Sequence, residues 1–220
     1  MQIGNAITTQ NTGPRLISVG HSNHDWPEFV ALLRGAGISV LADVRSFPFS
    51  RRYPHFNREP LKCELNETGI AYVFLGDLLG GRPGQPSLYD EDGRVNYERV
   101  RQTESFQRGL DQLIQSLNGN RVAFLCSEED PLDCHRGLMI APAFCERGLP
   151  PYHLRRDGSL ETNAEMESRL LRETGVGVGL LDGLFAITLT EEERCSLLSE
   201  AYRRMAWRRA YRLRGDAETE

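Results

Sequence analysis

The stretch RLISVGHSNHDWPEFVALLRGAGISVLADV, residues 15–44, decides the fold. It opens with a short apolar run that ends at Gly20-His21-Ser22-Asn23. Trp26, Phe29, Leu32 and Leu33 then recur at helical spacing, and residues 38–44 return to an apolar run closed by Asp43-Val44-Arg45. A strand, a loop, a helix and a second strand in that order form the repeating unit of a parallel sheet.

The alternation continues outward from this unit. A loop through Pro48, Pro54 and Pro60 leads to a helix from about residue 61 to residue 68, with Gly69 as its C-terminal cap. Residues 71–75 read as a third strand, and residues 76–93, rich in Gly, Pro and Asp, as a loop. Phe106, Leu110, Leu113, Ile114 and Leu117 share one face of a helical pattern over residues 97–117. A fourth strand over 121–126, a helix over 134–147 closed by Gly148 and a short strand over 152–154 complete the series. The pattern predicts an α/β fold with a mainly parallel, Rossmann-like or flavodoxin-like sheet and helices on both faces.

After Arg156 the pattern changes to a helical C-terminal extension. Residues 161–173 are helical and charged, residues 175–183 hold four glycines, and residues 190–214 read as one helix opened by a Thr190/Glu193 capping box. The expected organisation is an α/β domain over 15–156, the extension over 157–220 and a flexible N-terminus over 1–14.

Composition narrows the function classes. The chain has 220 residues, 40% hydrophobic and 26% charged, and no run approaches the ~20 apolar residues of a membrane span. Residues 1–14 lack the basic opening and apolar core of a signal peptide, so a cytoplasmic location is expected. Cys63, Cys126, Cys134, Cys145 and Cys195 are an odd set without C-x-x-C spacing and read as reduced thiols. A net charge of -5 argues against a strongly basic nucleic-acid module. The average hides two basic patches: four arginines and no acid lie in residues 45–58, and six arginines and no acid in residues 203–214. The second patch reads either as a helix docked on the domain, its arginines paired with acids, or as a phosphate-backbone contact.

In open α/β sheets ligands bind outside the carboxyl ends of the strands, so the residues that follow each strand are the candidates. These are His21 and Ser22 after the first strand, and Asp43, Arg45, Ser50, Arg51, Arg52 and His55 after the second. After the fourth come Cys126 and Glu128, then Cys134, His135 and Arg136 at a helix start. His21, Glu128, Cys134 and His135 are the catalytic candidates; Ser22, Asp43, Arg45, Ser50, Arg51, Arg52, His55, Cys126 and Arg136 are the ligand-binding ones.

Each has a plainer reading beside it. His21 could cap a turn, Asp43 could hold a loop amide, Arg51 and Arg52 could be solvated, and Cys126 could be a small apolar core residue. A loop holding Arg45, Arg51, Arg52 and His55 without an acid is nevertheless a credible anion clamp. Cys134 at a helix start beside His135 and Arg136 is expected to have a lowered thiol pKa, against the influence of Asp133. The C-x5-R spacing of cysteine phosphatases is absent, since Leu132 and Ile140 stand six positions after the two cysteines. Zinc on Cys126, Cys134 and His135 is considered, but adjacent Cys-His ligands are awkward and no fourth ligand is in sight, so no metal is assigned.

The motifs Val19-Gly20-His21-Ser22-Asn23, Asp43-Val44-Arg45-Ser46-x-Pro48-x-Ser50-Arg51-Arg52-x-Pro54-x-Phe56, Leu79-Gly80-Gly81-Arg82 and Cys126-Ser127-Glu128-x-x-Pro131-x-x-Cys134-His135-Arg136, with Gly69-Ile70-x-Tyr72, together resemble the domain of unknown function 488 family. The likeness runs from about residue 16 to residue 154. It implies the α/β domain already read from the pattern and no particular chemistry. Ser127 stands where that pattern has alanine.

Three functions follow as expectations. The first is an enzyme acting on a phosphate-bearing ligand, a nucleotide or nucleic acid, with arginines as anchors and His21, Glu128, Cys134 or His135 moving a proton or serving as a thiolate. The second is a non-catalytic nucleic-acid or anion-binding module. The third is a thiol redox or sulfur-handling protein in which Cys126 and Cys134 cycle. Neither a Walker A nor a G-x-G-x-x-G motif occurs, and the sequence names no cofactor.

Overall fold

A computed structural model of the chain describes residues 13–177 and 190–213. The N-terminal segment through residue 12, residues 178–183 of the glycine-rich stretch and Arg214 lie outside them. Strands β1 (Leu16–Gly20), β2 (Val40–Asp43), β3 (Ala71–Phe74), β4 (Val122–Cys126) and β5 (Tyr152–Leu154) run parallel. β6 (Leu160–Thr162) closes one edge antiparallel, in the order β3-β2-β4-β1-β5-β6. The helices are α1 (Trp26–Gly35), α2 (Arg58–Thr68), α3 (Gly76–Leu79), α4 (Tyr97–Arg101), α5 (Glu104–Ser116), α6 (Ala141–Glu146), α7 (Asn163–Thr174) and α8 (Glu191–Arg209).

Period-two alternation along the strands builds two cores. Ile17, Val19, Leu41, Ala123 and Leu125 face Phe29 and Leu33 of α1 and Leu61 and Leu65 of α2. Leu16, Val40, Ala42, Val122 and Phe124 face the other way, toward α5, α6, α7 and α8. The mainly parallel sheet covered on both faces, with a C-terminal helix, is the architecture the sequence pattern predicts.

Several boundaries differ from the sequence reading, each for a local reason. The pattern over 97–117 is two helices, because the Thr103 hydroxyl accepts from the Phe106 amide at 3.3 Å and starts α5 anew. The pattern over 134–147 opens as a π-helical turn, Arg136–Ile140, before α6. Pro142, at the start of α6, has no N–H to close the preceding turn. The loop over 76–93 contains α3 and a 3-10 turn, Pro86–Leu88. Residues 160–162 form β6, and the helix that follows starts on a Thr162/Glu165 capping box. Gly69 and Gly148 take the left-handed conformation expected of caps, with φ of 77 and 71.

Helix α8 begins on the Thr190/Glu193 capping box and buries Ala201 and Met205 in the second core. Its arginines meet groups of this chain: Arg204 pairs with Glu200 at 2.7 Å and Arg209 with Asp133 at 3.1 Å. Arg208 donates to the Glu173 carbonyl at 3.2 Å, and Arg212, just past the helix, to that of Asp92 at 2.7 Å. This is the docked arrangement. No helix among the described residues is long and apolar enough to cross a membrane.

Strand order locates the crevice. β4 lies between β2 and β1, whose outgoing connections carry α1 and α2 to one face, while the connection leaving β4 carries α6 to the other. Loops that part in opposite directions from neighbouring strands leave a gap at their carboxyl ends.

Candidate functional site

A cleft of ≈ 310 Å³ opens at that gap. Arg45, Ser46 and Phe47 from the end of β2 form one wall, and Cys126, Ser127 and Glu128 from the end of β4 form another. Asp133, Cys134 and His135 continue the floor, and Gly81, Arg82, Tyr97, Arg209 and Tyr211 complete the lining.

The β2 wall rests on Asp43, which is fully buried. Its carboxylate accepts from Arg45 Nε at 2.9 Å, Arg45 Nη2 at 2.6 Å and the Tyr72 hydroxyl at 2.9 Å, and also from the Arg45 amide at 3.1 Å. Arg45 Nη2 further donates to the Phe56 carbonyl at 2.9 Å. A buried carboxylate and guanidinium bound to each other by two hydrogen bonds hold the loop in place. Burial, followed by the charge and hydrogen bond of Asp43, pushes the Tyr72 phenol well above its ordinary value.

The β4 wall rests on Arg136, the largest fully buried side chain among the described residues. It turns away from the cleft and donates to the carbonyl oxygens of Glu128 and Glu129, both at 2.5 Å, and to Ser18 Oγ at 3.4 Å. Its Nη1 also lies 3.1 Å from Cys134 Sγ. Arg136 thus supports the loop from beneath and does not face the cleft, because two carbonyls at the end of the β4 loop need a buried donor.

Between the walls lies a small polar cluster. Cys126 Sγ is 3.1 Å from Glu128 Oε2 and 3.5 Å from His135 Nδ1, and His135 Nε2 is 3.0 Å from the Val44 carbonyl oxygen. Desolvation raises the Glu128 carboxyl, but the Cys126 thiol, a backbone amide and the charges of His135 and Arg136 outweigh it and leave the pKa lowered. The Cys134 thiol is not lowered as the sequence context suggests. Burial pushes it well up, a hydrogen bond with Cys126 adds to this, and the Arg136 charge opposes both. The physical reason is that Cys134 is 5% exposed and sits before a π turn, packed inward rather than at an open helix start.

The remaining candidates do not line the cleft. His21 is buried and stacked on Phe56 at 4.3 Å between ring centroids. Burial first and then the Arg45 charge lower its pKa to about 4. Ser22 carries the one positive φ found outside glycine among the described residues, and its amide pairs with the Ser127 carbonyl at 2.8 Å. Ser50 and His55 are engaged elsewhere: the Ser50 hydroxyl accepts from the Tyr53 amide of its own loop at 3.0 Å, and His55 Nε2 meets the His24 carbonyl of the β1–α1 loop at 3.1 Å. Arg51 and Arg52 are exposed on that loop. Of the thirteen candidates, the structure gathers Arg45, Cys126, Glu128, Cys134 and His135 around the cleft. Asp43 and Arg136 lie directly behind its walls.

Sequence reasoning missed Phe47, Arg82, Tyr97, Arg209 and Tyr211. Arg82 stacks over the Tyr211 ring at 4.6 Å from its centroid and pairs with no carboxylate among the described residues. The Leu79-Gly80-Gly81-Arg82 motif is the signal that could have found it. A Cβ on Gly81 would come within 2.9 Å of the His135 ring, so the glycine lets this loop close over the site.

A two-faced α/β sheet with a polar cleft at the switch between β2 and β4 is the class of protein these observations define. The chain belongs to the domain of unknown function DUF488 family, whose model matches residues 25–141. No curated protein matches it. Two solved structures resemble it, both described as "Putative phosphatase (DUF442)" from Shewanella putrefaciens CN-32. The first, at 1.60 Å resolution, is 14% identical with a TM-score of 0.42 over 87% of each chain. The second, at 1.40 Å resolution, is 13% identical with a TM-score of 0.38 over 92% of this chain and 93% of the other. Likeness this distant carries no information on chemistry.

Proposed function

We propose that the chain is an enzyme acting on a phosphate-bearing ligand held in the cleft between β2 and β4. The observation that carries this reading is the pairing of an uncommitted cation with a proton-transfer cluster. Arg82 faces the cleft with no carboxylate partner among the described residues, opposite Glu128, Cys126 and His135. A guanidinium without a carboxylate offers its fork to phosphate oxygens. Glu128, exposed to solvent and held ionised, is the proton acceptor of the site, with His135 beside it.

Phe47 favours a nucleotide among phosphate-bearing ligands. Its ring is 69% exposed on the rim, 6.0 Å from the Arg82 guanidinium, where a base can stack while the phosphate meets Arg82. A backbone-tracking nucleic-acid mode has less support, because α8 commits its arginines to acids and carbonyls of this chain.

Calorimetric titration with AMP and with inorganic phosphate tests the reading. Arg82→Ala is expected to weaken AMP binding on the order of 10-fold or more, the value of one charge-assisted contact. Phe47→Ala is expected to weaken AMP and leave inorganic phosphate unchanged. Equal affinity of the wild type and Arg82→Ala for both probes would contradict the reading.

A further inference from the structure

We infer that Cys126, Cys134 and His135 hold a divalent metal ion of the zinc type at the floor of the cleft, a function beyond the phosphate-ligand reading. The three ligand atoms lie within 4.8 Å of one another, and all three residues are buried. The Cys126 Sγ to His135 Nδ1 separation of 3.5 Å is itself informative. With Zn–S near ~2.3 Å and Zn–N near ~2.05 Å, the edge of a tetrahedral site is about 3.6 Å. Two sulfurs and one imidazole nitrogen select zinc or a similar borderline-soft ion over magnesium or calcium.

The adjacency of Cys134 and His135, awkward within a regular element, is resolved by the backbone. Cys134 is extended, with φ -147 and ψ 167, and His135 is helical, with φ -60 and ψ -23. In a continuous strand the two side chains would point to opposite faces. At this junction both turn to the sulfur of Cys126 at the end of β4.

The surroundings are those of a supported ligand set. His135 donates its far ring nitrogen to the Val44 carbonyl at 3.0 Å, which directs Nδ1 inward, as ligating histidines commonly are held. Arg136 reaches Cys134 Sγ at 3.1 Å, and its other partners among the described residues are Ser18 Oγ and two backbone carbonyls, with no carboxylate among them. On binding, the ion displaces the protons of the two thiols, whose charges then neutralise it, and Glu128 lies 3.1 Å from Cys126 Sγ. Cys126, Cys134 and His135 line the cleft together with Glu128, so a fourth ligand would enter from there.

Cobalt titration of the full chain, stripped of metal under reducing conditions and free of any phosphate-bearing compound, tests this directly. The expected result is one equivalent of Co2+ with thiolate-to-cobalt charge-transfer bands and intense tetrahedral d–d absorption, displaced by Zn2+. Cys134→Ser and His135→Gln should abolish that spectrum. His135→Gln keeps a donor for the Val44 carbonyl, and its unfolding curve verifies that the fold persists. The Cys63→Ser/Cys195→Ser variant, which removes the two exposed thiols, should bind as the wild type does. No such spectrum in the wild type, or one that survives in both Cys134→Ser and His135→Gln, would overturn the metal site. AMP binding to the metal-free chain is read separately, so the two proposals fail independently.

Discussion

His135 Nε2 lies 3.0 Å from the carbonyl oxygen of Val44, a residue 91 positions earlier in the chain. A carbonyl only accepts, so a ring proton sits on Nε2, and Nδ1 is the nitrogen that faces Cys126. One hydrogen bond thereby ties the β4 loop to the end of β2 and fixes which ring nitrogen meets the site.

Removing that bond should cost stability in proportion to what is left unpaired. His135→Ala strands the Val44 carbonyl and is expected to lose about 2–3 kcal/mol, while His135→Gln, which can still donate to it, loses about 1 kcal/mol. Urea unfolding measures the difference. Equal losses in the two variants would mean that the bond contributes nothing beyond packing.

The Asp43–Arg45 pair makes a sharper demand, because both side chains are buried, at 0% and 5% exposure. Asp43→Asn leaves the Arg45 guanidinium without its counter-charge and is expected to cost about 3–5 kcal/mol. Tyr72→Phe removes one neutral donor to the same carboxylate and should cost about 1 kcal/mol. Denaturant titration that ranks the two variants the other way would contradict the supporting role assigned to this pair.

Two buried histidines set the response to acid. Burial, with Arg136 next, lowers the His153 pKa to about 3, its Nδ1 being 2.7 Å from Ser18 Oγ. His21 is lowered to about 4 by burial and then Arg45. The unfolded chain takes up these protons near pH 6.5 and the folded chain resists them, so stability is full above about 6.5, falls as pH drops, and levels off only near the folded values. Urea unfolding between pH 7.5 and 4.5 should show a loss of up to a few kcal/mol. Replacing His153 with Gln should flatten the slope. Stability that is constant or rises toward pH 4.5 would sink this assignment.

How much of this was legible beforehand divides along a physical line. Strand ends could be read from apolar runs, which is why Cys126, Glu128, Cys134, His135 and Arg45 were all in view. Gly20 belongs to the Val19–Asn23 motif for a reason only the structure supplies: a Cβ there would lie 1.7 Å from the Glu128 carbonyl oxygen. Side-chain direction was not legible. Arg136 and Arg82 look alike in sequence, yet one is buried under two carbonyls and the other stands on the cleft rim. Contacts across long separations were equally hidden. Arg209 and Tyr211 reach the cleft only because α8 folds back onto the core, and β6 joins the sheet only through its pairing with β5.

The central proposal is that a phosphate-bearing ligand binds in the cleft between β2 and β4. Backbone amide NMR during titration of the full chain with AMP tests this most directly. The predicted result is a saturable set of shifts at Ser46, Phe47, Gly81, Arg82, Ser127 and Glu128, with little change at Arg51, Arg52 or the exposed face of α8. Shifts confined to those arginines, or to α8, with the cleft silent at saturation, would contradict it.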